Sequence, residues 1–469
     1  MAVNLAAVEP NEYRVAMIDP ASGAVLTVKN PNGAAHLPRI QIPANTRVTE
    51  YLLKAIQTAW KVRAVVLDYL QSEDGYWRCA VLELLPGKAP TALCPMDIHE
   101  IADDFSDGER ASLLSLLGDA STSFLSHMGW IYEAVAWVEK VTGERIRSIF
   151  EVEQLNAGAR FALVRLPMRS GRSYWLKATG EPNTHEQPIT LYLSELCPSH
   201  LPEVLAVDPV WNAWIMPDKR ITHGQLPTSP RDRLQLLQCA VTAIAEVQRH
   251  TAGREADLLA AGAFDQRLNI LRADSELLFE NIGEAMALQT STKVPRIHES
   301  RLHELNSVFD ATCEFVQTLG IPNTILHGDL HAGNVLCGAD GCQFIDWCEA
   351  YVGHPLVTLQ HLLLLNSPED AQLKSTWDQE LIERYQMVMN EVCERSALEQ
   401  GVLCMPLIAA ASTMYGRGAW IRSPLVSIPH QLARIRTLAR HMDRAAQEPA
   451  LLDMLFRDRA YARSQQEVA

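Results

Sequence analysis

The sequence has no run of about 18 consecutive apolar residues, which is the length that a membrane-spanning helix needs. Its densest apolar stretch, 356–365, is interrupted by Gln360 and His361. The N-terminus also lacks a basic segment followed by an apolar core, which is the pattern of a secretory leader. These absences predict a cytoplasmic protein that is neither secreted nor inserted in a membrane.

Clustered positive charge is also absent. The 469 residues include 41 Lys and Arg against 56 Asp and Glu, which gives a formal net charge of -15. Proteins that bind the phosphate backbone of nucleic acids concentrate Lys and Arg, so this composition argues against a nucleic-acid partner. A cationic small molecule remains compatible with it. The chain is long enough, and at 48% apolar residues hydrophobic enough, for two or three folded domains.

The ten cysteines contain no Cys-x-x-Cys pair. Three of them, Cys337, Cys342 and Cys348, lie close together, and a thiolate metal site at this point is one interpretation. Because cytoplasmic proteins keep their thiols reduced, we expect reduced and partly buried cysteines instead.

The most informative feature that is present is the segment 327–334, HGDLHAGN, with FIDW downstream. Asp329 follows a short apolar strand and precedes Asn334 by five residues, and a turn then returns the chain to Asp346. The pattern predicts a hairpin with Asn334 and Asp346 side by side at its base. One amide oxygen and one carboxylate suffice to hold Mg²⁺, because this ion keeps waters and phosphate oxygens as its other ligands.

HGDLHAGNVL with FIDW, followed by Gly-His-Pro at 353–355, resembles the aminoglycoside phosphotransferase and choline kinase branch of the protein-kinase-like fold. The resemblance implies a bilobal α+β fold with a strand-rich small lobe and a mainly helical large lobe. It implies ATP and Mg²⁺ as cofactors and a small-molecule hydroxyl as the phosphate acceptor. Asp329 is then the catalytic residue, and Asn334 and Asp346 are the metal ligands. His327 is expected to bond the loop backbone, whereas His331 either faces the acceptor or is solvated.

A kinase-like fold requires, upstream, a lysine for the α and β phosphates and a glutamate that holds it. Lys177 lies on a short apolar strand that follows the strand 161–166 across a turn, so a hairpin is predicted. Glu186, nine residues later, lies near the start of a helical run and is the predicted partner, with Glu195 as the alternative. A strand predicted at 201–207 completes the order of elements in a small lobe.

The loop 156–160 occupies the position of the phosphate-covering loop but contains one glycine, Gly158, in place of the G-x-G-x-x-G pattern. The segment 214–218 is the predicted connection between the lobes, where Met216 and Asp218 would meet the adenine through backbone groups. A plain buried strand is the alternative for this segment. We assign Gly158, Met216 and Asp218 to cofactor binding.

The first 120 residues are predicted to form a separate α/β domain. Strands at 13–18, 24–28 and 79–84, with a long helix at 46–70, faintly resemble a Nudix-type domain. The helix lacks the Arg-Glu-x-x-Glu-Glu cluster with which such hydrolases hold their metals. We therefore expect a noncatalytic cap or regulatory domain.

The predicted organisation has four parts, which are an N-terminal domain at 1–120, a helical connector at 121–150, the small lobe at 151–218 and the large lobe at 219–469 with the catalytic hairpin at 324–347. Apolar periodicity predicts helices in the large lobe at 231–250, 300–319, 377–396, 402–416 and 428–444.

The predicted function is transfer of a γ-phosphate to a small hydroxylated amine, such as an amino sugar, aminoglycoside or amino alcohol. A neutral sugar or polyol is the competing class of acceptor. Acidic candidates for an amine site are Glu349, Glu369 and Asp370. Two other functions stay open, a nucleotide-binding pseudokinase that acts as an interaction module and a Nudix-like hydrolase. The sequence leaves the oligomeric state open.

Overall fold

The structure is a computed structural model that describes residues 11–43, 46–71, 77–87, 92–118, 125–158, 160–219, 229–338, 341–422 and 429–456. The chain divides into two compact units. The first comprises Met1–Gln187 and Glu203–Lys219, and the second comprises Pro188–Pro202 and Arg220–Ala469.

The first unit begins with a seven-stranded sheet in which β1 and β6 pair in parallel and the other pairs are antiparallel. Its strands are β1 (Asn11–Ile18), β2 (Val25–Lys29), β3 (Ala35–His36), β4 (Arg39–Ile42), β5 (Ala64–Gln71), β6 (Trp77–Leu84) and β7 (Cys94–Met96). The accompanying helices are α1 (Val48–Trp60), α2 (Asp107–Leu117) and α3 (Trp130–Thr142). The main path of the sheet runs β3-β2-β1-β6-β5, so β5 is an edge strand.

The long helix predicted at 46–70 is wrong. Helix α1 ends before Lys61, whose φ of 60° is in the left-handed region that commonly terminates helices. The chain then continues as β5, where Val65 and Val66 favour an extended backbone because they are β-branched. The three strands predicted in this part of the chain are confirmed as β1, β2 and β6.

The second sheet of the first unit is the expected strand-rich small lobe. Its antiparallel strands lie in the order β11-β12-β10-β9-β8. They are β8 (Glu153–Asn156), β9 (Phe161–Pro167), β10 (Ser173–Thr179), β11 (Ala206–Asp208) and β12 (Ala213–Pro217). Helix α4 (Glu186–Leu196) follows β10 in sequence, and from Pro188 onward it belongs to the second unit. The hairpin of β9 and β10 is confirmed. The strand predicted at 201–207 is shorter than expected, since Pro202 has no N–H to donate and pairing begins only at Ala206.

The two sheets of the first unit share a hydrophobic core. Side chains alternate along β5, so Val66 belongs to one apolar cluster while Val65 and Leu67 belong to another. The second of these clusters also contains Val164 from β9 and Leu176 from β10. The N-terminal sheet and the small-lobe sheet are therefore packed as one body.

The second unit is mainly helical. Its helices are α5 (Pro230–Thr251), α6 (Glu255–Ala260), α7 (Leu268–Ala273), α8 (Ser275–Ala287), α9 (Glu299–Thr318), α10 (Leu356–Leu365), α11 (Ala371–Met389), α12 (Arg395–Tyr415) and α13 (Pro429–Ala445). A sheet in the order β13-β17-β14 and a hairpin of β15 and β16 complete it. These strands are β13 (Phe264–Gln266), β14 (Thr324–His327), β15 (Val335–Gly338), β16 (Gly341–Phe344) and β17 (Ala350–Gly353). The five predicted helices correspond to α5, α9, α11, α12 and α13, although α11 and α12 begin earlier than expected.

Helix α12 is, among the described residues, the helix that is long and apolar enough to cross a membrane. However, 67% of its apolar window is buried inside the unit. Leu398 and Ile408 are completely buried in the main apolar cluster of the second unit. Helix α12 therefore packs as the core helix of a helical domain.

Candidate active site

Strand β14 delivers the chain to the HGDLHAGN loop. All four of its residues are buried, and it pairs antiparallel with β17. From α5, the buried Gln248 donates through Nε2 to the carbonyl oxygens of Ile325 at 3.3 Å and Pro355 at 3.1 Å. The strand before the loop is thus fixed by backbone pairing on one side and by a buried side chain on another.

Gly328 is required at the start of the loop by close packing. Its N–H donates to the carbonyl of Glu349 at 2.7 Å. A Cβ at this position would lie 2.4 Å from Cε2 of Tyr351 and 3.0 Å from the oxygen of Glu349. Only glycine lets the loop approach β17 so closely.

His327 joins the two ends of the motif. Its Nε2 lies 3.0 Å from the carbonyl oxygen of Ile345, and the N–H of Asp329 points at its Nδ1 at 3.3 Å. Since a carbonyl only accepts, Nε2 carries the proton and Nδ1 accepts. Complete burial lowers the pKa of His327, which keeps the ring neutral. The prediction that His327 forms hydrogen bonds with the loop backbone is confirmed.

Asn334 is bonded to the backbone of Asp329. Its Nδ2 donates to the Asp329 carbonyl at 2.9 Å, and its own carbonyl accepts the N–H of Ile345 at 3.1 Å. Asp346 follows directly, with a φ of 68° that an aspartate tolerates better than most residues. The structure therefore bonds Asn334 to Asp329 and, at the base of the hairpin, to Ile345, the residue before Asp346, as the motif predicts.

The hairpin between Asn334 and Asp346 is confirmed, with Val335 opposite Phe344 and Cys337 opposite Cys342. The expectation of reduced cysteines is wrong for this pair, because Cys337 and Cys342 form a disulfide. Directly facing positions of an antiparallel pair bring two side chains close enough for this bond. The disulfide also removes two of the three thiols of the conceivable metal site. Among the described residues, no cluster of three or more His, Cys, Asp or Glu could hold a metal ion.

His331 lies beside the predicted catalytic aspartate. Its Nε2 is 3.7 Å from Oδ2 of Asp329, and its Nδ1 accepts the N–H of Gly333 at 2.9 Å. Both side chains are about half exposed, at 45% for His331 and 51% for Asp329. Asp329 is thus available to a molecule from outside.

Thr358 of helix α10 and Asn366, the C-cap of this helix, support the catalytic loop, and neither was predicted from the motif. The Thr358 hydroxyl oxygen accepts the N–H of His327 at 3.2 Å. Asn366 accepts the N–H of Ala332 at 3.0 Å and donates to the Leu330 carbonyl at 3.3 Å. The available signal was the presence of polar residues within an otherwise apolar helix.

Lys177 and Glu186 form a buried ion pair in the first unit. The Lys177 Nζ is 2.5 Å from Oε1 of Glu186, and the two side chains are only 9% and 2% exposed. The Lys177 Nζ also lies 5.6 Å from the ring centroid of Trp214. Glu195 is exposed. Of the two glutamates considered, Glu186 is therefore the partner of Lys177.

The other predicted cofactor residues lie in the same unit. Met216 is nearly buried within β12, and the carboxylate of Asp218 is bonded by Arg165, with 2.7 Å between Nε and Oδ2. The N–H of Asp218 donates to the carbonyl of Ser173. The Asp218 side chain is therefore committed to the small-lobe sheet, and the assignment of both residues to adenine binding stays a prediction. Gly158 has a φ of 119°, which favours glycine.

Of the three acidic candidates for an amine site, Glu349 and Asp370 already accept hydrogen bonds within the protein, and Glu369 is exposed to solvent. The Glu349 carboxylate is bonded by Arg417, with 2.7 Å between Nη2 and Oε1, and by the Tyr351 hydroxyl. Asp370 accepts the N–H of Leu373 at 2.8 Å as the N-cap of α11. The positive charge of Arg417 thus offsets much of the negative charge of Glu349 before any ligand binds.

Residues 186–393 match the sequence profile of the APH group, described as a phosphotransferase enzyme family. A search among curated proteins found no match. Similar solved structures include macrolide 2'-phosphotransferase MphH from Brachybacterium faecium, with 14% identity over 68% of this chain and 97% of that chain and a TM-score of 0.43. A choline/ethanolamine kinase family protein from Mesorhizobium loti has 16% identity over 67% of this chain and 98% of that chain, with a TM-score of 0.39. The ethanolamine kinase of Plasmodium vivax has 11% identity over 74% of this chain and 95% of that chain, with a TM-score of 0.42.

None of these matches concerns a Nudix protein, so the Nudix resemblance of the N-terminal residues is not supported. The matched segment begins at Glu186 and includes the whole catalytic hairpin. Residues 186–393 are therefore similar to the phosphotransferase enzyme family.

Proposed function

We propose that this chain is an ATP- and Mg²⁺-dependent phosphotransferase that moves the γ-phosphate to a hydroxyl of a small molecule. The observation that carries the proposal is the hydrogen bond from Asn334 to the backbone of Asp329, 2.9 Å long, inside the segment that matches the family model. It holds a half-exposed carboxylate and a metal-ligating amide on one short loop. This is the arrangement that phosphoryl transfer needs, because catalysis of this reaction depends mainly on positioning and charge.

Asp329 orients the acceptor hydroxyl and takes its proton. Its N–H is held by His327, and its carbonyl is held by Asn334, so the backbone of this residue is fixed on both sides. The half-exposed side chain remains free to meet an acceptor. Because the transition state is loose, a correctly placed carboxylate suffices and little base strength is required.

Asn334 and Asp346 fit a magnesium site. The amide nitrogen of Asn334 is used by the Asp329 carbonyl, which leaves the amide oxygen as the group of that side chain that can coordinate a cation. With the carboxylate of Asp346, this gives the hard oxygen donors that Mg²⁺ prefers. When bound, the ion supplies positive charge that offsets the charge of the β and γ phosphates.

Lys177 supplies a fixed positive charge for the α and β phosphates. The buried Glu186 holds it at 2.5 Å, so the ammonium group is ordered before nucleotide binds. Gly158, Met216 and Asp218 are assigned to the same nucleotide through backbone groups. This intact set favours an enzyme over a pseudokinase.

The acceptor we favour is an amino sugar, aminoglycoside or amino alcohol. The support is the net charge of -15 together with exposed carboxylates such as Glu369. Because Arg417 already engages Glu349, the attraction for an amine is weaker than three unpaired carboxylates would give, and a neutral sugar or polyol stays the alternative. We further propose that the enzyme acts in the cytoplasm without nucleic-acid or membrane partners.

The test is ADP release from Mg-ATP with a panel of amino sugars, amino alcohols and neutral sugars. Release that depends on one acceptor class supports a kinase and identifies the class. Phosphorylation of uncharged sugars alone would refute the cationic acceptor and leave the kinase intact. Nucleotide binding without any acceptor-dependent release would favour the pseudokinase.

A further inference from the structure

We propose that the N-terminal sheet is part of the nucleotide-binding machinery, because it fixes the loop between β8 and β9 that is assigned to the phosphates. The inference rests on the proposed function. It assigns Gln154 and Asp68 as positioning residues for ATP. Three independent contacts within the first unit carry it.

The first contact closes the free edge of the N-terminal sheet. Strand β5 is an edge strand, and edge strands present unpaired N–H and C=O groups. The Gln154 side chain, on β8, satisfies both groups of Val66, with Nε2 donating to the Val66 carbonyl at 2.8 Å and Oε1 accepting the Val66 N–H at 2.8 Å. Gln154 is only 3% exposed. A glutamine side chain thus takes the place of the next strand.

The second contact is apolar. Ala157, just after β8, packs against the cluster formed by one face of the N-terminal sheet, which includes Leu52 and Ile56 from α1. The beginning of the loop is therefore seated on the helix and sheet of the N-terminal region. A loop seated in this way loses less conformational entropy when a ligand binds than a loop in solvent does.

The third contact explains the one glycine of the loop. A Cβ at Gly158 would lie 2.7 Å from Oδ1 of Asp68, and the φ of 119° at this position also favours glycine. Asp68 itself is held, since its Oδ1 accepts the N–H of Tyr69 at 2.8 Å. The close approach of Asp68 and the positive φ therefore both favour glycine at 158.

These contacts account for a loop that departs from the three-glycine pattern. In that pattern, flexible glycines allow the backbone to close over the phosphates. In this chain, Gln154 is hydrogen-bonded to Val66, Ala157 packs on the core of the N-terminal sheet, and Gly158 lies close to Asp68. The start of the loop, Ala157 and Gly158, is positioned by the N-terminal sheet, and the residues that position it lie about 90 positions earlier in the sequence.

The experiment compares full-length Gln154→Leu with the wild-type enzyme. Leucine keeps the volume but removes both bonds to Val66, so we expect the KM for ATP to rise about fivefold while the KM for the acceptor stays unchanged. Gln154→Glu retains the acceptor for the Val66 N–H and should recover part of the loss. The matched control is Gln289→Ala, because Gln289 is also a buried glutamine bonded to two carbonyls, in the second unit. It should lower stability without changing the KM for ATP.

A double-variant cycle tests the third contact separately. Gly158→Ala should raise the KM for ATP, and adding Asp68→Ala should relieve part of that rise because it removes the clashing atom. Calorimetry with Mg-ATP reads the same effects as binding constants if turnover is slow. A wild-type enzyme that turns over while Gln154→Leu and Gly158→Ala both keep wild-type ATP affinity overturns this inference alone. A wild-type chain that binds no nucleotide overturns the proposed function and this inference together.

Discussion

The side chain of Asn334 donates a hydrogen bond of 2.9 Å to the backbone carbonyl of Asp329. The position of the predicted catalytic residue is therefore coupled to that of the predicted metal ligand. A displacement of either residue strains or breaks this bond. His327 extends this coupling to the strand end before Asp346, because its ring bonds both the Asp329 N–H and the Ile345 carbonyl. A substitution at one of these residues should therefore also impair the function of the others.

Asp329→Asn should lower kcat by roughly two to four powers of ten and leave Mg-ATP affinity nearly unchanged. The side chain is 51% exposed and its backbone bonds do not depend on the carboxylate. Turnover with the identified acceptor and calorimetry with Mg-ATP measure the two quantities. A kcat within threefold of wild type would show that Asp329 is not the catalytic residue.

Asp346→Ala should abolish Mg²⁺-dependent nucleotide binding, because it removes the charged protein ligand. Asn334→Ala should weaken binding less but should also lower kcat, since it frees the Asp329 carbonyl. Calorimetry with and without Mg²⁺ separates the two variants. Unchanged affinity in Asp346→Ala would refute the metal site, and a purely affinity-based effect in Asn334→Ala would refute the mechanical coupling.

Lys177→Met should destabilise the fold by about 3–5 kcal/mol, because it leaves the Glu186 carboxylate buried without its partner. The double variant Lys177→Met/Glu186→Gln should recover most of this stability and none of the activity. Denaturant unfolding and ADP release measure the two effects. The control is Lys54→Met, where the exposed pair with Glu50 contributes less than about 1 kcal/mol. Recovery of turnover in the double variant would contradict the role of Lys177.

Acid should destabilise the second unit through its buried histidines. Burial lowers the pKa of His354 to about 3 and that of His361 to about 4. The unfolded chain binds protons more readily than the folded one. The free energy of unfolding is therefore at its full value above pH 6.5 and falls as the pH decreases towards these values. Each histidine should remove about 1.4 kcal/mol per pH unit in this window.

Urea unfolding at roughly pH 7.5 and pH 5 measures this loss of stability. These two conditions bracket the ordinary pKa of histidine. His361→Gln should reduce the difference between the two conditions. His303→Ala should leave it unchanged, because the His303 side chain is 79% exposed. Equal acid sensitivity in wild type and His361→Gln would show that His361 is not a source of it.

The sequence predicted those parts of the site that lie close together in the chain. Asp329, Asn334 and Asp346 are within 18 residues, and the order of polar residues, strand and turn specifies the hairpin. Lys177 and Glu186 are also local, and only the choice between Glu186 and Glu195 needed the structure. The supports of the loop from Thr358 and Asn366 were not predicted, because hydrogen bonds between distant elements leave no periodic pattern.

Two errors have a common physical cause. The helix predicted at 46–70 joined Leu53, Ile56 and Trp60 to apolar residues of β5, because a short strand can continue a helical spacing by chance. The prediction of reduced thiols at Cys337 and Cys342 rests on the expected cytoplasmic location. The two residues face each other in the hairpin, and this position allows the disulfide. In both cases strand pairing is involved, since β5 pairs with β6 and Cys337 faces Cys342 across the hairpin.

The shared core of the two sheets in the first unit also determines where the chain can be cut. A fragment beginning near residue 151 would expose Val164 and Leu176 to water and would leave Gln154 without the backbone groups of Val66. Exposed apolar sheet faces favour aggregation. We therefore expect the small lobe to depend on the N-terminal residues for solubility, so that recombination or gene fusion at this boundary would yield no autonomous catalytic fragment.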